Sequence, residues 1–350
     1  MRGRLNRGWI VGIVGSAIAI ALTWIAPDVR LYQFAMAGTL GIAMLGLNIL
    51  TGFNGQISLG HGAFMGIGAY TAAILVREQG MSYPLVLVVS FLLCFAIGCL
   101  IGIPALRLPG ISLALVSLAF GLMLPQVIKK YGGLTGGVGG INTPPPRQFN
   151  SPWDSLTNDQ FRYLFVTVVG MVLFWVAWNI VRGRWGLAMM AVRDNPVSAA
   201  SMGVNLARTK VAAFGISAGY AGIAGALQCV LIGYIGPDQW SLALSVSLLT
   251  GIVIGGLGTV AGAVIGGLFV QFLPYYSNAI SQSAPTVVYG VIIILVMLLA
   301  PGGVIGLLRR LEAWVSGKRR GRGDAELDAA KAAASFPTEV DEPVPTATGI

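Results

Sequence analysis

The sequence predicts an all-α, polytopic integral membrane protein of about ten transmembrane helices, some short or broken, with both termini cytoplasmic. Three observations lead there. Hydrophobic residues fill 55% of the 350 positions and charged residues only 10%, with a mean hydropathy of +0.79, a balance foreign to soluble domains of this size. Apolar runs of about 18 residues recur, the length a helix needs to cross hydrocarbon. Basic residues gather at the ends of those runs, so the net charge of +9 reflects positive-inside sorting rather than a nucleic-acid partner.

Taken in order, Met1 to Arg7 carries three arginines ahead of the apolar run Trp9 to Ala26. A signal peptide with a weak Ala-x-Ala at Ala17 and Ala19 is one reading; a retained first span is preferred, because further spans follow at once. The next runs are Leu31–Leu50, His61–Val76, Pro84–Leu106, Gly110–Ile128, Phe161–Val181 and Val211–Gly233. Leu242–Ile254 and Val260–Pro274 follow, separated by GGLGT, and then Thr286–Ala300. Placing Arg2, Arg4 and Arg7 inside also puts Arg107, the segment 182–210 and the cluster from Arg309 to Arg322 inside. That demands an even number of crossings, so Gly255, Gly256 and Gly258 mark a hairpin of two short spans or two re-entrant halves. The division expected is a transmembrane unit over 1–310 and a cytoplasmic tail over 311–350, rich in Ala, Pro, Asp and Glu and predicted to be disordered.

Two polar interruptions stand out. On the external side, residues 129–160 form a long loop containing GGLTGGVGGINTPPP, read either as a flexible connection or as a lid or landing surface for an external partner. On the cytoplasmic side, residues 182–210 contain a short helix with both ends marked. Asp194 or Asn195 can cap it, Pro196 suits its first position, Val197 to Met202 form the body, and Gly203 can take the left-handed conformation that stops it. It is either a connector resting on the headgroups or a docking element for a separate protein.

The stretch LNILTGFNGQISLGHGAFMGIGAYTAAIL, residues 47–75, is too polar around Thr51 to Gly62 for an ordinary spanning helix. Such broken segments are tolerated where they line a cavity. Asn48, Asn54, Gln56, Ser58 and His61 are therefore the candidate pathway-lining residues, the alternative being a polar turn between spans. Gly62, Gly66 and Gly68 give a small-residue face for close packing.

What is missing narrows the function. All 13 acidic residues lie outside the apolar runs, and the one histidine, His61, has no acid or cysteine near it in sequence. Ion-coupled transporters and intramembrane enzymes need ionisable groups in the membrane. Cys94, Cys99 and Cys229 sit inside apolar runs without metal spacing and read as small hydrophobes. No catalytic, metal or cofactor site is expected. A gated path with no energy source of its own needs a partner, which favours the docking reading of the short helix.

The run GFNGQISLGHGAFMGIGAYTAAIL resembles the signature of membrane permeases of branched-chain amino acid ABC importers. RWGLAMMAVRDNPVSAASMGVNLARTKVAAFGISAGYAGIAGAL resembles that family's cytoplasmic loop and following helix. GGLGTVAGAVIGGLFVQFLP and APGGVIGLL follow in the family's order, and LTGGVGGI in the external loop fits the LivM type of subunit rather than the LivH type. The likeness covers Leu31 to Leu308. It implies a permease in the bacterial inner membrane that pairs with a second permease subunit, two cytoplasmic ATPases and a periplasmic amino-acid-binding protein, and that moves Leu, Ile or Val. The resemblance makes Arg193, Asp194, Asn195, Pro196, Ala199, Ala200 and Gly203 the ATPase-coupling loop. Many ABC importers write that loop as Glu-Ala-Ala before a glycine; here Ser198 replaces the acid. Relatives with this layout carry urea, short amides or other amino acids, and a passive channel is a further alternative.

Overall fold

The computed structural model describes residues 15–105, 110–142, 156–280 and 302–307, with isolated positions between 287 and 298. The expectations for Arg2, Arg4, Arg7, Arg107, most of the run 286–300 and the tail 311–350 lie outside these residues. All of the following belongs to the compact unit Met1–Gly306.

The described residues are helical almost throughout. Helix α1 (Gly15–Ile25) precedes α2 (Asp28–Asn48), which continues into a π-helical turn, Ile49–Phe53. Then come α3 (His61–Gln79), α4 (Tyr83–Ala105) and α5 (Gly110–Lys130). A short α6 (Gly132–Thr135) and a two-residue strand β1 (Ile141–Asn142) follow. Next are α7 (Asn158–Arg182), α8 (Arg184–Asp194), α9 (Pro196–Ser201) and α10 (Leu206–Ile232). Strand β2 (Tyr234–Ile235) leads to a 3-10 turn, Pro237–Trp240. Helices α11 (Leu242–Gly255) and α12 (Val260–Ile280) follow, and residues 303–307 are helical again.

Among the described residues, six helices are long and apolar enough to cross a membrane, so the chain is a multi-pass membrane protein; α1 and α11 are apolar but shorter. Helix α11, with 14 residues, extends about 21 Å at 1.5 Å per residue, short of a hydrocarbon core about 30 Å thick. The hairpin expected at 255–258 is present, with its first arm too short to span. Helix α3 has 19 residues yet is less apolar, because its glycines, His61 and Tyr70 face protein instead of lipid.

Helix α10 is the centre of the unit, buried over 83% of its most apolar window, whereas α7 is buried over only 17%. Glycine explains how α10 gets so close to its neighbours. A Cβ at Gly222 would lie 2.6 Å from Cys94 Sγ and 2.8 Å from Ser90 O of α4, while Gly68 of α3 meets the Gly222 backbone from the other side. In a bilayer, where helices gain little from excluding water, such backbone approach is what provides packing energy. The expected small-residue face of α3 is used in full: Gly62 lies against Ser245, Gly66 against Trp240 and Leu124, and Gly68 against Gly222.

The two ends of the bundle differ. At one end Thr157 caps α7 in a capping box with Gln160, and its hydroxyl donates to Asp28 at 3.3 Å. Lys129 pairs with Asp238 at 2.7 Å there, and β1 pairs antiparallel with β2, Ile141 opposite Ile235. The first part of the 129–160 loop is thus folded. Two short apolar stretches far apart in sequence satisfy each other's backbone groups, and Tyr234 reinforces them by donating to Gly139 O at 3.2 Å. Residues 143–155, with Trp153 and Asp154, lie outside the described residues.

Candidate functional site

The opposite end is built around the break in α2. Past Asn48 the ladder widens to a π turn, in which the Asn54 amide reaches back to Ile49 O at 3.2 Å. A π turn is an inserted residue that the helix tolerates at a cost, and such turns concentrate at functional positions. Residues 54–60 then run without regular structure until α3 starts at His61. Side chains from neighbouring helices secure this passage. Thr51 Oγ1 donates to Gln56 O at 3.0 Å. Ser117 Oγ accepts the Leu59 amide at 2.9 Å, and Ser245 Oγ accepts the Gly62 amide at 2.9 Å.

Burial alternates along the passage. Asn54, Gln56 and Ser58 are buried while Gly55 and Ile57 are exposed. Both polar atoms of the Asn54 amide, both of the Gln56 amide and the Ser58 hydroxyl lack a hydrogen-bond partner among the described residues. Buried polar groups in proteins are nearly always paired, so three unpaired residues in one short stretch set this segment apart. The other two expected lining residues are engaged differently. Asn48 spends its amide on the α11–α12 turn, donating to Thr259 O at 2.7 Å and accepting from Gly258 N at 2.9 Å. His61, also buried, has its Nε2 3.0 Å from Ala43 O, so that nitrogen carries the proton. Both residues hold helices together, a task that type and position in sequence do not reveal.

The 182–210 segment lies at this same end. It forms two helices, where the sequence indicated one. Helix α8 was missed because Arg184, Arg193 and Asp194 dilute its apolar pattern. Helix α9 begins at Pro196 with Asn195 as its cap, the Asn195 carboxamide accepting the Ser198 amide at 3.0 Å. Gly203, at φ +84°, ends it, with the Gly203 and Val204 amides returning to Ala200 O and Ala199 O at 3.0 Å. Ala199, only 4% exposed, packs inward, whereas Ala200 faces out. The outward face carries two large apolar side chains that sequence reasoning passed over, Val197 at 79% and Met202 at 86% exposure. Their signal in the sequence was two large residues bracketing a run of small ones. Asp194 pairs with Arg193 at 2.9 Å, and Arg193 Nη1 also donates to Gly52 O at 2.8 Å. The end of α8, which leads into the short helix, is therefore in direct contact with the broken segment.

The described helices form a multi-pass membrane bundle in which α2 breaks into a largely buried polar segment contacted by the end of α8. The family is fixed by comparison: residues 29–301 match the model described as branched-chain amino acid transport system / permease component, and the chain belongs to that family. The high-affinity branched-chain amino acid transport system permease protein LivM of Escherichia coli K12 is 30% identical over 286 residues, 76% of this chain and 67% of the relative. The corresponding LivH protein of Salmonella typhimurium is 28% identical over 289 residues, 77% of this chain and 92% of its own. BraD of Pseudomonas aeruginosa is 25% identical over 297 residues, 77% and 92% respectively. No solved structure matches.

Proposed function

We propose that the chain is the permease subunit of an ATP-driven importer that carries branched-chain amino acids across the bacterial inner membrane. The observation that carries this reading is the contact of Arg193, at the end of α8 and just before the capped helix α9, with a broken segment that holds three unpartnered buried polar side chains. The membrane passage uses Asn54, Gln56 and Ser58 as its hydrogen-bonding surface, able to receive the ammonium and carboxylate of a zwitterion without a fixed charge of its own. Helix α9 seats an ATPase subunit through Val197, Ala200 and Met202, with Asn195, Pro196 and Gly203 setting its ends. Energy comes from outside the chain. Two cytoplasmic ATPases, a second permease of the same family and a periplasmic binding protein complete the importer; similarity to both LivM and LivH permeases supports the second permease. About ten membrane segments, with both ends inside, follow from the charge distribution.

Uptake of radiolabelled leucine in cells lacking the chain, with urea as control solute, tests the substrate. Loss of leucine uptake alone, restored by the intact gene, supports the reading. Loss of urea uptake with leucine unaffected moves the chain to an amide-carrying role and refutes the amino-acid assignment.

A further inference from the structure

We infer that Arg193 is a positioning residue that carries movement of the α8–α9 loop directly into the broken segment between α2 and α3. The inference rests on the importer reading above and adds the mechanical link that reading needs. Arg193 lies in the last turn of α8, two residues before the Asn195 cap of α9. Its Nε and Nη2 both reach Asp194 Oδ1 at 2.9 Å, which fixes the plane of the guanidinium. The remaining Nη1 donates to Gly52 O at 2.8 Å, inside the π turn.

Contact continues past that bond. The alkyl stem of Arg193 lies on Gly55, where an added Cβ would stand 2.6 Å from Arg193 Cγ, and Gly55 has φ +73°. Arg193 thus touches the chain on both sides of Asn54, the first of the three unpartnered residues. The π turn is also held by the α11–α12 turn, because Asn48 binds Gly258 N and Thr259 O, and Gly258 stands beside both Gly52 O and Arg193 Nη1. The break is gripped by a loop that can be pushed from outside and a turn anchored in the bundle, which meet at Gly52.

The π turn is the compliant element in this grip. The Asn54 amide bonds to Ile49 O at 3.2 Å and the Gln56 amide to Leu50 O at 3.1 Å, both spanning more residues than an α-helical bond. Moving Gly52 O exchanges these bonds for α-type ones and rotates Asn54, Gln56 and Ser58 relative to α3. Side chains that bind solute in one position release it in the other. Because the Arg193–Asp194 pair is partly exposed, at 38% and 66%, it contributes little to stability, and its removal leaves the fold intact.

The test uses the complete importer in proteoliposomes and reads leucine transported per ATP hydrolysed. Arg193→Ala lowers that ratio at least roughly fivefold, the lower bound of a typical coupling between sites, while the ATPases still co-purify through the outward face of α9. Arg193→Lys, which keeps one donor on a flexible stem, recovers part of the ratio. A second readout follows the break itself: the rate of thiol labelling at Ile57→Cys, with the three native cysteines replaced by alanine. ATP with vanadate changes that rate in the parent protein and leaves it unchanged when Arg193→Ala is added. An unaltered transport ratio in Arg193→Ala, or loss of the ATPases from that variant, overturns the inference. A parent protein whose labelling ignores ATP shows instead that the importer reading fails, and the link with it.

Discussion

Replacing Gly222 with alanine tests whether close approach of α10 to α3 and α4 holds the bundle together. The new Cβ would stand 2.6 Å from Cys94 Sγ, 2.8 Å from Cys94 Cβ and 2.8 Å from Ser90 O. Ordinary contacts between such atoms lie at about 3.5–4.0 Å, so α10 and α4 must separate by roughly 1 Å. The obstruction includes a backbone carbonyl, which cannot rotate away as a side-chain tip can. Overpacking of this kind costs about 1–3 kcal/mol, and one or two kcal/mol changes the folded-to-unfolded ratio by a factor of roughly 5–30. The assay is the fraction of purified protein that stays monodisperse after heating in detergent. Adding Cys94→Ala removes the nearest clashing atom, leaves the two at 2.8 Å, and restores part of the lost stability; the two changes are strongly coupled, as neighbours should be. If Gly222→Ala survives heating as well as the parent protein, the helices are not in the contact described, and the explanation of the glycine content fails.

Other perturbations separate structural from functional roles. Asn48→Leu strips the partners from Gly258 N and Thr259 O, at a cost of about 2–3 kcal/mol; unchanged thermal stability would show that the α2–turn bond does not form. Gly203→Val forces a β-branched residue into φ +84°, a strain of about 1–2 kcal/mol. The protein should still insert in membranes but lose transport, and normal uptake would remove the loop from the mechanism. Aspartate at both Val197 and Met202 places charge on the outward face of α9 and should abolish co-purification of the ATPases. Retention of the ATPases would locate docking elsewhere.

Much of this architecture could be read from residues whose chemistry is local. Asn195, Pro196 and Gly203 specify a short helix wherever they occur in that order, and GGLGT specifies a turn. The run of polar residues after Leu50 specifies a break because a continuous span would have left those groups facing lipid. What stayed hidden depends on distant partners. Nothing near Asn48 indicates that its amide belongs to Gly258 and Thr259, 210 and 211 positions away. The pairing of Ile141 with Ile235 likewise needs the fold to bring two minimal strands together. Helix α8 escaped notice because its face toward the protein needs only Gly186, Met189 and Val192, too few apolar residues to show a period. Within the site, the alternation of Asn54, Gln56 and Ser58 was visible as a pattern, but their lack of partners was not. Ala199 and Ala200 look equivalent in sequence, and only packing separates the inward residue from the outward one.

The central claim is that this chain moves a branched-chain amino acid under the control of a separate ATPase. The most direct measurement is leucine accumulation in proteoliposomes holding the purified importer, with the ATPases present, omitted, or supplied with a non-hydrolysable ATP analogue. Accumulation above the external concentration that requires both the ATPases and hydrolysable ATP is the result the account predicts. Leucine that merely equilibrates across the membrane, at the same rate without the ATPases, would identify a passive channel and contradict it.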